Sequence, residues 1–588
     1  MSNRITNFIA LFLLVLMFCL ALFSMAGDSL TMDEAAHLPA GYSYLTQKDM
    51  RLNPEHPPLI KDLAALPLLF IKGINFPSEI KDWKTDVNGQ WGFGFNFLYH
   101  SNNPADQMIF WGRLPMILVL ILLGFYVFKW TRELFGNKTA LLALFLFTLS
   151  PTFLAHGRLV TTDVGAATGV FIALYYFIKF LNTSTKKNLI IAGIALGLAE
   201  LTKFSVILLL PLFGFLVLIW AAIKSESGRG FLKSFGRYLL FFILIVVVAF
   251  VLIWGIYLYH VWNYPPDRQA VDTEFMQGST PFPIVRETLV WASTNPVLRP
   301  LAQYGLGLAL VFQRAAGGNT MFFLGEISAA GWKNYFPFVY AVKEPLAMHI
   351  LTILALLYAA WLVKNPFWQN TWQRLKIWIC SHFVEFSMLS FLILYWAVSL
   401  KSNLNLGVRH LLPTFPFVYI LASSMIIKCL KQPYLKIKYA VLFILILWQA
   451  VSVISIYPHF LAYFNEIVGG PSKGYLYTVD SNLDWGQDMK RLAKWVDKNN
   501  IDKIYVDYFG GADAQYYLKE KFEPWWGSRD PKEIAEGSYL AVSVSTLQGG
   551  RGLPAKGFNL PTGYYRWLDQ YDPPIAKIGY SIFVYEIK

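Results

Sequence analysis

Charge is what this sequence has least of. Lys, Arg, Asp and Glu supply 15% of its 588 residues, against about 25% in an ordinary soluble domain, which argues against a water-surrounded globule. Cysteine is nearly missing as well. Cys19, Cys380 and Cys429 all lie in or beside apolar runs, so neither a disulfide framework nor a cysteine-ligated metal is expected. No G-x-x-x-x-G-K-[ST] loop occurs, and Asp33-Glu34-Ala35-Ala36-His37 therefore cannot serve as an ATP-dependent helicase box. A zinc-protease helix needs a histidine four residues before His37, where the chain has Asp33. Internal repeats and low-complexity tracts are absent too.

What the chain has instead is apolar length, with 55% hydrophobic and 17% aromatic residues. Residues 8–25 hold eighteen positions of which only Ser24 is polar, and 239–254 is unbroken; both are long enough for a membrane helix. Eleven spans are expected, near 8–26, 109–128, 139–156, 161–180, 189–201, 204–223, 238–260, 345–363, 380–400, 411–428 and 439–457. The first apolar run is longer than the ~7–15 residues of a signal-peptide core, so it reads as a retained helix.

The net charge of +13 would suit nucleic acid, but its distribution does not. The short stretches 129–138, 179–188, 224–237, 364–376 and 428–438 carry +2, +3, +3, +3 and +4, more than the whole excess. Cytoplasmic loops concentrate Lys and Arg in this way. The amino terminus is then cytoplasmic, and 27–108, 261–344 and everything after 457 are extracytoplasmic. Residues 27–108 agree, with ten acidic and six basic side chains. The chain is expected to be a polytopic α-helical membrane protein of the plasma (inner) membrane, with residues 1–457 as its membrane domain. Residues 458–588 read as an extracytoplasmic α/β domain, from strand patterns at 475–479, 503–509, 539–544 and 575–586 and an amphipathic helix over 484–498.

Five distant segments place ionisable groups at one membrane depth on that outer side. They hold Asp33, Glu34 and His37; His56 and Lys61; Arg158 and Asp163; Glu200 and Lys203; and Arg409 with His410. Charge at a membrane boundary is costly and usually functional. A carboxylate can take a proton from an attacking hydroxyl, and Lys or Arg can hold a phosphate as charge develops on it.

These residues resemble the protein O-mannosyltransferase family and its bacterial relatives, the lipid A aminoarabinose transferases among them, within the C-type glycosyltransferases. Asp33-Glu34 matches the pair that opens the family's first outer loop, and His56-Pro57-Pro58 with Lys61 matches the stretch that follows. Arg158 and Asp163 match its Arg-x-x-x-x-Asp turn. Gly331-Trp332-Lys333-Asn334-Tyr335-Phe336-Pro337, Lys343-Glu344-Pro345, Arg409-His410-Leu411-Leu412-Pro413 and the run from Asp480 to Asp488 are similar to blocks of bacterial members.

The resemblance implies a C-type glycosyltransferase fold and an inverting sugar transfer from a polyisoprenyl-phosphate donor to a hydroxyl on a protein, lipid or glycan. Asp33 would be the general base, assisted by Glu34, and Lys61, Arg158 and Arg409 would meet the lipid phosphate. His37, His56, Asp163, Lys203 and His410 would complete substrate binding. The resemblance leaves a divalent metal open, since basic side chains could replace one at a monophosphate leaving group and relatives vary, and no metal ligand is assigned. Eukaryotic members carry a β-trefoil in a later outer loop, for which 261–344 is too short, so the acceptor stays open.

Blander readings compete at each position. Asp33 could cap a helix, His56-Pro57-Pro58 could be a rigid turn, and Lys61, Arg158 and Arg409 could be interfacial cations. Arg158 could pair with Asp163, and Glu200 with Lys203. A transporter or flippase for a lipid-linked or anionic solute is the alternative function, but it calls for mid-membrane charges and an inverted repeat. A sensor or scaffold would leave the first-loop carboxylates idle.

Overall fold

The computed structural model describes residues 2–225, 228–363, 370–431 and 435–588. Parts of three basic stretches, at 226–227, 364–369 and 432–434, lie outside the described residues. The protein is mostly helical. Eight helices among those residues are long and apolar enough to cross a membrane: Asn3–Met25, Ala105–Phe135, Thr162–Asn182, Phe204–Ile223, Gly230–His260, Phe383–Lys401, Val408–Cys429 and Lys436–Ile454. A ninth is possible by composition if the bent pair Tyr335–Lys343 and Leu346–Trp361 is one span.

All eleven expected stretches are helical, yet eleven full spans are not. The stretch at 139–156 divides into Asn137–Thr148 and Pro151–His156. Pro151 forces Ser150 into extended backbone and then starts the second helix at its first position. The stretch at 189–201 is the 15-residue helix Lys186–Glu200, too short to cross unaided. At 345–363 the same proline logic acts: Glu344 is extended before Pro345, and the two helices meet at 110°.

Thr162–Asn182 is the hub of the bundle, with 78% of its most apolar window buried, against 17% for Gly230–His260. Gly169 lets the backbone of Ala199 come close enough that a Cβ would lie 2.9 Å from its Cα. That close approach seats Lys186–Glu200 against the hub.

The strands are short: β1 (Met321–Phe323), β2 (Glu326–Ser328), β3 (Ile504–Asp507), β4 (Phe522–Pro524), β5 (Tyr539–Ser543), β6 (Leu553–Pro554), β7 (Ala576–Ile578) and β8 (Ile582–Glu586). Five form a mixed sheet in the order β4-β3-β5-β8-β7, parallel across the first three and antiparallel across the rest. Three of the expected strand patterns fall on it, and 575–586 is the hairpin β7-β8. The pattern at 475–479 is not a strand. It is a tight turn over Gly474–Leu476 with one bridge from Thr478 to Phe323. The expected helix at 484–498 starts only at Met489 and runs to Lys498, because residues 480–488 are held by side chains elsewhere.

The carboxy-terminal residues do not stand apart from the rest. Strand β6 pairs with β2, which tethers them to the 261–344 loop. Met489, Leu492, Ile504 and Val506 share one apolar core with Leu30, Ala35 and Phe93 of the first loop. Gly511, just past β3, faces the Thr31 carbonyl, where a Cβ would clash.

Candidate active site

Thr31 opens the helix Met32–Gln47 and sets the direction of its first turn. The Glu34 carboxylate turns back to accept from the Thr31 backbone N–H and hydroxyl, both at 2.9 Å. It also receives Arg113 through Nε at 2.8 Å and Nη2 at 2.6 Å, and the Val160 N–H at 2.9 Å. Glu34 is fully buried. Burial pushes its carboxyl up, and the Arg113 guanidinium more than reverses this, holding it below the usual glutamate range. All of its bonding capacity is spent on structure.

Asp33 faces the other way. Its side chain is 25% exposed and accepts from Arg409 Nη1 at 2.8 Å. The same guanidinium nitrogen reaches Asp163 at 3.2 Å, and Asp163 takes Lys203 Nζ at 2.6 Å. Asp33, Arg409, Asp163 and Lys203 thus form one chain of alternating charge. Burial pushes the Asp33 carboxyl up; Arg409 and His37 outweigh it and hold the group ionised, below the usual aspartate range.

This chain of charges borders a cavity of about 260 Å³, lined by Asp33, His37, His56, Lys203, Arg409 and His410 at its polar end. Leu208, Leu308, Val311, Phe312 and Val398 form an apolar wall. His37 donates Nδ1–H to the Val160 carbonyl at 2.8 Å when neutral, and its ring meets His56 edge-on at 5.0 Å. Burial lowers both imidazoles, for His37 partly offset by Asp33. Neutral rings at this wall can accept or donate a hydrogen bond without adding charge.

Six of the ten residues to which the resemblance gives a role therefore line one cavity, and Asp163 stands directly behind two of them. Glu34, Lys61 and Arg158 do not reach it. Lys61 is fully buried, its ammonium 2.8–2.9 Å from Tyr44 Oη, the carbonyls of Asn53 and His56, and Asn53 Oδ1. Burial pushes it down to about 7. It ties down the His56-Pro57-Pro58 turn and has no free face for a phosphate. Arg158 is paired at 2.7 Å with Asp28, which also holds Arg491 at 2.7 Å. The expected pairs fail as well: Asp163 goes to Lys203 and Arg409, not Arg158, and Glu200 accepts from Tyr304 Oη at 3.1 Å, not from Lys203.

Three groups escaped the sequence reading. Arg314 lines the cavity from the last turn of the amphipathic helix Arg299–Gly317; its only signal was a cation at a helix end. Arg113 lies in a span between apolar neighbours, where a lone charge could have been read as needing a buried partner. Trp485 packs on Arg409, with the guanidinium carbon 4.2 Å from the ring centroid. Among the described residues, no three His, Cys, Asp or Glu side chains are grouped to hold a metal ion. Of the acids at the cavity, Asp33 is engaged by Arg409, as is Asp163 behind it, and Glu55 accepts from Asn88 Nδ2 and Gln90 Nε2.

Fold and site define a multi-pass membrane protein with two acids and three cations lining a half-apolar cavity. Residues 105–254 match the family model described as dolichyl-phosphate-mannose-protein mannosyltransferase.

Among solved structures it is similar to the Saccharomyces cerevisiae protein O-mannosyltransferase Pmt1-Pmt2 complex bound to the sugar donor, at 18% identity and TM-score 0.35, over 45% of this chain and 34% of that one. It is also similar to the Archaeoglobus fulgidus oligosaccharyltransferase, at 13% identity and TM-score 0.47, over 89% and 64%. ArnT from Cupriavidus metallidurans is similar at 12% identity and TM-score 0.31, over 99% and 98%. The chain spans about a third of the yeast protein's length and under two thirds of the archaeal one's. No curated protein matches the sequence.

Proposed function

We propose that this protein transfers a sugar from a polyisoprenyl-phosphate donor to an acceptor hydroxyl, with inversion, at the extracytoplasmic face of the plasma membrane. The observation that carries the reading is the cavity: a partly exposed carboxylate, the three cations Lys203, Arg314 and Arg409, and an apolar wall share one space. A donor with a greasy tail and an anionic head needs such a space, and a water-soluble substrate does not.

In the proposed reaction Asp33 accepts the proton of the acceptor hydroxyl. The freed oxygen pair forms the bond to the anomeric carbon, and the carbon–oxygen bond to phosphate breaks on the opposite face. Arg409 and Lys203 take up the charge that grows on the departing phosphate. Both are already aligned by Asp163, so little reorganisation is needed at the moment of transfer. The basic stretches support an amino terminus inside and residues 458–588 outside. The acceptor is a protein, lipid or glycan of the envelope, reached together with the surrounding membrane lipids.

The test is transfer itself. Purified protein in liposomes, given polyisoprenyl-phosphate hexoses and envelope acceptors, is expected to release free polyisoprenyl phosphate as sugar appears on acceptor. Donor crossing the bilayer with its sugar intact would instead be the transporter reading.

Arg409 should also govern the pH profile. It holds Asp33 below the ordinary aspartate range against burial, with His37 acting in the same sense and Asp163 opposing. The ionised base is lost only as pH falls through that lowered value, so the acid limb of kcat/KM lies below the ordinary aspartate range. In Arg409→Ala burial acts with less opposition, and the limb is expected to move to higher pH. A limb unmoved by that change would mean that another group titrates.

A further inference from the structure

The run from Asp480 to Asp488 belongs to the carboxy-terminal domain by sequence, and the proposed chemistry gives it no part. Its neighbours are nevertheless those of the reaction centre. Ser481 Oγ accepts from Arg409 Nε at 3.1 Å, and the buried Trp485 ring covers the guanidinium face, its centroid 4.2 Å from Cζ. Asn482 Oδ1 accepts from the Val408 N–H at 2.9 Å, and Ser481 Oγ donates to the Leu406 carbonyl at 2.5 Å. The same few residues grip the start of the helix that carries Asp33. The Trp485 carbonyl accepts from the Met32 N–H at 3.0 Å, the Gln487 carbonyl from the Ser29 N–H at 2.9 Å, and the Gly486 carbonyl from Ser29 Oγ at 2.8 Å.

One segment thus holds both ends of the Asp33–Arg409 pair. It is anchored in turn by Asp488, which accepts from Ser581 Oγ at 2.7 Å and pairs with Arg491, itself bound to Asp28.

We infer that residues 481–487 are a positioning clamp for the transfer site: Ser481 and Trp485 fix the guanidinium of Arg409, and the Trp485 backbone fixes the first turn bearing Asp33. The inference rests on the proposed function for its meaning, and on the contacts alone for its geometry. The clamp makes the carboxy-terminal domain a working part of the centre. An arginine shared by two carboxylates has several orientations of similar energy. An aromatic face on one side and a hydroxyl on Nε leave one of them.

The test is a double-mutant cycle. Ser481→Ala, Trp485→Phe and Trp485→Leu are each made alone and with Arg409→Lys. For each, kcat/KM with a polyisoprenyl-phosphate hexose, affinity for plain polyisoprenyl phosphate and the thermal midpoint are measured. Ser481→Ala is expected to cost roughly tenfold in both function readouts, the scale of one charge-assisted hydrogen bond, with the midpoint lowered by no more than the loss of its buried hydrogen bonds brings. Trp485→Leu should cost more and Trp485→Phe less, since the smaller ring keeps a face for the cation. With Arg409→Lys these losses should shrink to near nothing.

Losses that add in full to that of Arg409→Lys would overturn the clamp, because they would come from somewhere other than Arg409. If Trp485→Leu does not fold, Ser481→Ala and Trp485→Phe still decide. A native protein inactive with every donor would sink the transfer reading but leave the binding cycle to judge the clamp.

Discussion

Asp33→Asn is expected to abolish sugar transfer while leaving the protein folded and still able to bind donor lipid. The amide keeps the shape of the side chain but cannot accept the acceptor's proton, and loss of a general base costs roughly a thousandfold in kcat. Arg409 keeps Asp163 as a partner at 3.2 Å and its seat on Trp485. Affinity for polyisoprenyl phosphate should therefore change little, and the effect should fall on kcat alone. Full turnover in purified Asp33→Asn would remove the proposed base.

The largest effect on stability is expected at the neighbouring residue. Glu34 and Arg113 are joined by two hydrogen bonds at 2.6–2.8 Å, and each is almost wholly buried. Removing one partner leaves the other charge buried and uncompensated, which costs about 3–5 kcal/mol. Arg113→Ala and Glu34→Ala should each lower the unfolding midpoint sharply. The double change should cost less than the two single losses added together. Glu34→Gln tests the catalytic role that the adjacent acids suggested: per folded molecule it is expected to keep its activity. A folded Glu34→Gln protein with kcat reduced as far as in Asp33→Asn would return Glu34 to the chemistry.

That contrast shows where sequence was enough and where it was not. Asp33 and Glu34 are adjacent in the first turn of one helix, about 100° apart around its axis, so one faces the cavity and the other the bundle. Nothing in the two letters says which. The choice is made by Arg113, a residue of the next span. Lys61 and Arg158 misled for a related reason. A cation near a membrane boundary looks available for phosphate, but whether it is free depends on acceptors such as the Asn53 carbonyl and Asp28, which come from the tertiary fold.

Arg409, Lys203 and Asp163 were legible because charge in or beside apolar helices is rarely without use. The helices were legible from apolar length, and the breaks at Pro151 and Pro345 were visible as residues though not as bends. The start of the 489–498 helix was beyond reach, since residues 480–488 give up helical bonding to hold Arg409 and Ser29.

The most direct measurement is mass spectrometry of envelope proteins, lipids and glycans from cells carrying either the native chain or Asp33→Asn. The account predicts that one class of acceptor loses a single sugar mass in the variant, while the polyisoprenyl-phosphate-linked form of that sugar accumulates. Identical acceptor profiles, with the variant present in the membrane at native levels, would contradict it.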